Sequence, residues 1–285
     1  MKYYVVADIH GYYSVLRATL EDKGYFKDKE PHKLIICGDI FDRGNETLKM
    51  QSFISDLIDK DEVILIRGNH EDLMLDLVKA LSEGKVDGLY GHHLSNGTTI
   101  SLLELTNNNL LDARMMTKEI ANQFYNTVFY KKILPRMLDY YETDKYIFVH
   151  GWIPCYAQIE GRDRKRYLYQ EGWRNTEPEQ WAESRWANGM LAASQGVIEP
   201  NKTIVCGHWN TSYGHSKIEG KGSEFDEDAD FSPYYSKGII AIDACTAHSG
   251  KINCIVIKDD ESVEFVGRKI LKEHKKVFEE LAKNE

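Results

Sequence analysis

Leu34-Ile35-Ile36-Cys37-Gly38-Asp39-Ile40-Phe41-Asp42-Arg43-Gly44 is the stretch on which the fold turns. Its apolar start shows no alternation, which reads as a strand buried on both faces. The run then breaks into glycine and carboxylates, so Asp39 and Asp42 stand at the carboxyl end of that strand. The same grammar recurs on either side. Tyr3 to Ala7 leads into Asp8-Ile9-His10-Gly11, and Val63 to Ile66 leads into Gly68-Asn69-His70-Glu71. Amphipathic stretches lie between: Met50, Phe53, Ile54, Leu57 and Ile58 recur at helical spacing, as do Leu73, Met74, Leu77, Val78 and Leu81 before Gly84 stops them. Ser14 is the expected cap of an earlier helix that Lys23-Gly24 closes. This βαβαβ order predicts parallel strands with right-handed crossovers. Residues that follow each strand then gather at one sheet edge, where ligand sites form.

Further along, residues 86 to 145 read as a mostly helical insertion, with Thr117 capping a helix whose apolar positions include Ile120, Phe124 and Val128. Strands return at Tyr146 to Val149, Thr203 to Cys206, Ile239 to Ile242, Ile252 to Ile257 and Val263 to Val266, and a charged helix is expected over residues 268 to 285. Two of these strands also end on histidine beside glycine, in Val149-His150-Gly151 and Gly207-His208. The acidic run from Glu224 to Asp230 reads as a solvated loop. A chain of 285 residues without internal repeats is expected to fold as one domain, with the insertion and final helix as elaborations.

A net charge of −9 argues against a nucleic-acid scaffold or an anionic membrane surface as partner, since an acidic chain gains no counterion-release energy from either. A phosphate substrate would need a local positive charge, which bound metal ions supply. The five cysteines read as small buried hydrophobes, and no stretch is long and apolar enough to span a bilayer. Met1-Lys2-Tyr3-Tyr4 enters a strand directly, so the cytoplasm is the expected location.

One histidine after a strand is usually a packing or capping residue. Here five strand ends carry residue types that bind hard or borderline metals, and most are flanked by glycines that allow sharp turns beside a crowded centre. Asp-x-His, Gly-Asp-x-x-Asp-Arg-Gly, Gly-Asn-His-Glu, His-Gly and Gly-His follow one another in this order, from Asp8 to His208. This pattern resembles the calcineurin-like metallophosphoesterase superfamily, and Asp42-Arg43-Gly44 with Glu71 is similar to its phosphoprotein phosphatase branch, bacterial and bacteriophage members included.

The resemblance implies an α/β fold of two packed sheets flanked by helices, in four layers. It implies two divalent metals, Mn²⁺ with Fe or Zn²⁺ as alternatives, one held by Asp8, His10 and a bridging Asp39, the other by Asp39, Asn69, His150 and His208. Two such metals, about 3.5–4 Å apart, activate a water for in-line attack on phosphorus. His70 would be the general acid, oriented by Asp42, and Arg43 and Arg185 would grip phosphate oxygens. The implied substrate is phosphoserine or phosphothreonine in proteins. Hydrolysis of diadenosine tetraphosphate is the alternative, and cyclic phosphodiester cleavage or a non-catalytic metal-binding module are less favoured. Ile242-Asp243-Ala244-Cys245 departs from the family's Asp-Thr-Gly, and Trp152 sets a bulky ring beside His150; both bear on the substrate pocket. His92-His93 reads as a solvated loop pair, and the aromatic stretch from Tyr156 to Trp186 as packing at least as much as a recognition wall.

Overall fold

The computed structural model describes residues 1–160 and 164–258. The strand expected at Val263 to Val266 and the terminal helix lie outside the described residues. Strands β1 (Lys2–Val6), β2 (His32–Cys37) and β3 (Val63–Ile66) pair in parallel, linked by helices α1 (Tyr13–Asp22) and α2 (Thr47–Asp59), and α3 (Asn69–Ser82) follows β3. Helices α4 (His92–Ser95), α5 (Thr98–Thr106), α6 (Leu110–Met115) and α7 (Thr117–Phe124) come next. The helical stretch then ends earlier than expected. β4 (Met137–Leu138) extends the first sheet beside β3, and β5 (Tyr141–Glu142) joins the second; two-residue strands carry no readable periodicity.

The second sheet is completed by β6 (Tyr146–Phe148), then β9 (Thr203–Cys206), β10 (Tyr234–Ser236) and β11 (Ile239–Ala241), in the order β10-β11-β9-β6-β5. Between β6 and β9 run an antiparallel hairpin, β7 (Cys155–Glu160) with β8 (Arg164–Tyr169), and helices α8 (Pro178–Ser184) and α9 (Gly189–Ser194). β12 (Ile255–Lys258) returns antiparallel to β1, giving the first sheet the order β12-β1-β2-β3-β4.

Strand pleating explains the layers. Tyr3, Val5 and Ala7 of the first strand face Phe148, Val205 and Ile242 of the second sheet, while Tyr4 and Val6 face Leu16, Met50, Ile54 and Leu77 of the helices. The outer face of the second sheet, with Ile147, Ile204 and Ile239, packs on Trp152, Trp173 and Trp181. The expected sandwich of two sheets between helical layers is therefore present.

Some local expectations fail. Ser14 does not cap α1; it lies inside the helix, and its amide and hydroxyl bond to Glu46 at 2.8 and 2.7 Å. Thr117 is the first residue of α7 and makes no cap bond, and Val128 lies beyond that helix, 42% exposed. The acidic run 224–230 is the mostly exposed loop expected. No disulfide joins cysteines among the described residues, and no helix there is long and apolar enough to cross a membrane.

Candidate metal centre

Asp8 and His10 follow β1, Asp39, Asp42 and Arg43 follow β2, and Asn69 and His70 open α3 directly after β3. From the other sheet, His150 follows β6 and His208 follows β9. The carboxyl ends of both sheets thus meet over a single spot. Backbone strain gathers there: Asp8, His10, Asp39, Asp42, Arg43, His208 and Cys245 all have positive φ, between 46° and 77°. Cys245 (φ 51°) holds the left-handed conformation at the position where the resembled pattern has glycine, so the backbone turn survives the departure. At Gly38 and Gly207 a Cβ would overlap the His150 ring and the Asp8 carboxylate respectively.

Asp39 sits at the middle. Its Oδ2 lies 3.8 Å from both His10 Nε2 and His70 Nε2, and its Oδ1 lies 3.4 Å from His150 Nε2. Two clusters share this carboxylate, His10-Asp39-His70 and Asp39-His150-His208, each with ligand atoms within 4.8 Å of one another. Asn69 Oδ1 is 2.8 Å from His150 Nε2. Asp8 belongs to neither cluster; its two oxygens accept the His208 amide at 3.1 and 2.9 Å.

The imidazoles are set as metal ligands usually are, with one ring nitrogen on an acceptor and the other free. His10 Nδ1 donates to the Phe41 carbonyl (3.0 Å), His150 Nδ1 to the Cys37 carbonyl (2.9 Å), and His208 is tied to the Trp186 carbonyl. In the neutral His150 ring, Nε2 is then an acceptor and faces Asn69 Oδ1; a cation between them satisfies both lone pairs. Burial disfavours the charged form of all three rings: it lowers His10 and His150, and with His150 beside it His208 falls to about 3. Burial would raise Asp39, but the surrounding His150, His70 and His10 outweigh it and hold the carboxylate ionised. Burial, followed by Asp243 and Asp39, pushes Asp8 up, and burial lifts Asp243 to about 6. Three buried carboxylates in one place are costly without cations, so the donor set fits divalent metals of the Mn, Fe or Zn class.

His70 is bound differently. Its Nδ1 donates to the Asp42 carboxylate at 2.7 Å, and its Nε2 lies 3.3 Å from Arg43 Nη2. Burial opposes the charged ring, but Asp39 and the Asp42 bond prevail and raise its pKa. Arg43 is exposed at the mouth. Arg185, at the end of α8, is buried, with Nε and Nη2 on Asp72 (2.6 and 3.2 Å) and Nη1 on Asp139 (2.7 Å). Its charge still acts on His150.

Several residues here escaped the sequence reading. Glu71, read only as a branch marker, accepts amides from Asp39 (3.2 Å), Ile40 (2.9 Å) and Gly68 (2.7 Å), so it staples two ligand loops together. Burial, then Asp39, raises it to about 7. Asp72 and Asp139, the partners of Arg185, carried no motif. The His92-His93 pair is not a loop: the two lie in α4 with rings 3.9 Å apart, and His93 is buried. Trp152 turns away from the centre, packs on Gly189 and donates Nε1–H to the Val197 carbonyl (3.1 Å). Tyr167, Trp173 and Trp181 are core, whereas Trp186 is 48% exposed and meets the His208 ring edge-on.

Known proteins resemble parts of the chain. A symmetrical bis(5'-nucleosyl)-tetraphosphatase of Buchnera aphidicola (subsp. Acyrthosiphon pisum, strain 5A) is 32% identical over 103 residues, 36% of each chain. An asymmetrical bis(5'-nucleosyl)-tetraphosphatase of Geobacillus thermodenitrificans is 38% identical over 72 residues, 23% of this chain and 29% of its own. The chain thus spans about a third of the length of the curated relatives it matches. A cold-active protein tyrosine phosphatase of a psychrophilic Shewanella superposes with a TM-score of 0.46 at 15% identity, covering 90% of this chain and 75% of that one; so low a score adds nothing to the fold argument. The profile of the calcineurin-like phosphoesterases matches residues 1–249, and the chain belongs to that family.

Proposed function

We propose that the protein hydrolyses phosphomonoesters at a dinuclear metal centre, with phosphoserine and phosphothreonine side chains of proteins as substrates. The observation that carries this reading is the Asp42–His70–Arg43 arrangement beside Asp39, in which His70 is held between a carboxylate and a guanidinium in hydrogen-bonded order. Asp8, His10 and Asp39 would hold one ion, and Asp39, Asn69, His150 and His208 the other. When bound, such ions lower the pKa of water and offset phosphate charge.

The remaining chemistry belongs to the side chains. Arg43, freed from His70 as substrate enters, grips non-bridging oxygens bidentately, and Arg185 adds positive charge beside His150. Water oxygen bonds to phosphorus as the ester P–O bond breaks, and one of the water's protons passes to solvent. The leaving oxygen keeps the bonding electron pair and takes the proton from His70 Nε2, while Asp42 steadies the ring. No phosphoenzyme forms.

A second reading, cleavage of diadenosine tetraphosphate, is favoured by the sequence relatives, which are bis(5'-nucleosyl)-tetraphosphatases. Purified protein with Mn²⁺ is to be assayed on a phosphothreonine peptide and on diadenosine tetraphosphate, with His70→Asn as control. The peptide is expected to turn over faster and the variant to lose roughly 10²–10⁴-fold in kcat. Faster tetraphosphate turnover would move the protein to the second reading.

A further inference from the structure

Asp42 is buried, and its Oδ2 receives two hydrogen bonds. One comes from His70 Nδ1 (2.7 Å), the other from the Thr98 hydroxyl (2.7 Å) in the first turn of α5. Among the described residues Oδ1 has no partner. The backbone amide of Asp42 donates to Ser101 Oγ at 2.9 Å, one turn further along the same helix. Gly97, at φ 87°, lies so close to the Arg43 amide that no side chain would fit. Past Arg43, the Thr47 amide donates to Glu104 Oε2 at 3.2 Å. One short helix, 56 to 59 residues away in sequence, therefore holds the Asp42-Arg43 turn by its carboxylate and its backbone.

We infer that Thr98 is a positioning residue for the His70–Asp42 pair. A carboxylate held by a single hydrogen bond turns about its χ2 angle; two donors converging on Oδ2 from different elements fix that oxygen toward the imidazole. The hydroxyl also gives the buried carboxylate a second hydrogen-bond donor. The Thr98 hydroxyl donates to Asp42, so its effect travels through Asp42 to the proton that His70 delivers. The inference rests on the general-acid reading of His70. It gives the helical segment after α3 a function: α5 holds the acid, whatever lies beyond the phosphate in the substrate.

The test uses leaving groups. Phenyl phosphate needs a proton on its departing oxygen more than 4-nitrophenyl phosphate does, so loss of an oriented acid slows the first selectively. Wild type, Thr98→Val, Thr98→Ser, Ser101→Ala and His70→Asn are to be compared with Mn²⁺ on both esters. Thr98→Val is expected to lose roughly tenfold in kcat on phenyl phosphate but no more than about twofold on 4-nitrophenyl phosphate, with KM unchanged. Thr98→Ser restores the hydroxyl and should restore the rate, and Ser101→Ala should show the same selectivity more weakly, which keeps the test usable if Thr98→Val does not fold. Equal losses on both esters in folded Thr98→Val and Ser101→Ala, beside a selective loss in His70→Asn, would overturn the inference alone. A His70→Asn variant without selectivity would overturn the general-acid reading and this inference with it.

Discussion

At the scale of single residues, neighbouring carboxylates divide by what surrounds them. Asp39 stays ionised because imidazoles ring it, whereas burial and Asp243 press Asp8 toward its neutral form until a cation arrives. Glu71 is the residue whose loss should be felt most in the fold. It accepts three backbone amides from two ligand loops, and Glu71→Gln leaves at least one of those donors facing an NH₂ group. We expect a cost on the order of 3 kcal/mol by urea denaturation, together with weaker Mn²⁺ binding; a variant as stable as wild type would contradict the staple. Sequence made the ligand candidates legible because each directly follows a strand. It left Thr98, Asp72 and Asp139 unread, since their partners Asp42 and Arg185 lie 56, 113 and 46 positions away and meet only in the folded chain.

Among the elements, legibility followed length and pattern. β1, β2 and β3 stand out as apolar runs, and α2 and α3 as stripes at helical spacing, whereas β4 and β5 are too short to show any period and the β7–β8 hairpin is rich in polar residues. Caps were misread at Ser14 and Thr117 because a hydroxyl near a helix start finds other partners, as Ser14 does in Glu46. The helix α3 carries both Asn69 and His70 and is anchored by Leu77, which is fully buried against the first sheet. Leu77→Ala should therefore cost roughly 2–5 kcal/mol in denaturant titrations. A loss under about 0.5 kcal/mol would show that α3 is held mainly by its polar first turn.

At the scale of the whole molecule, the proposed centre would draw ligands from both sheets, so metal binding should tie them together. Mn²⁺ at 100 times the dissociation constant of a site should raise stability by about 2.7 kcal/mol for each ion bound through mass action, and Asp39→Asn should abolish the gain. An equal gain in the variant would place the binding elsewhere. A second link across the second sheet is electrostatic: Glu142 of β5 meets Arg174 at 2.6 Å and Lys202 at 2.8 Å. Burial opposes its charge, but these two cations win and lower its pKa from 4.5. A carboxylate whose pKa is depressed in the folded state adds stability above its unfolded value, near pH 4.5, and loses it as pH falls through the lowered one. Glu142→Gln should therefore be less stable than wild type at pH 7, with the gap closing in acid; a gap independent of pH would rule out the ion pairs as its source.

The central claim is that Asp8, His10, Asp39, Asn69, His150 and His208 hold two ions while His70 holds none. Metal content per chain, measured by elemental analysis after Mn²⁺ loading and gel filtration, tests it most directly. Two ions are expected in wild type and in His70→Asn, and fewer in Asp39→Asn. One ion or none in wild type would contradict the account, and an ion lost with His70 would make His70 a ligand in place of Asp8.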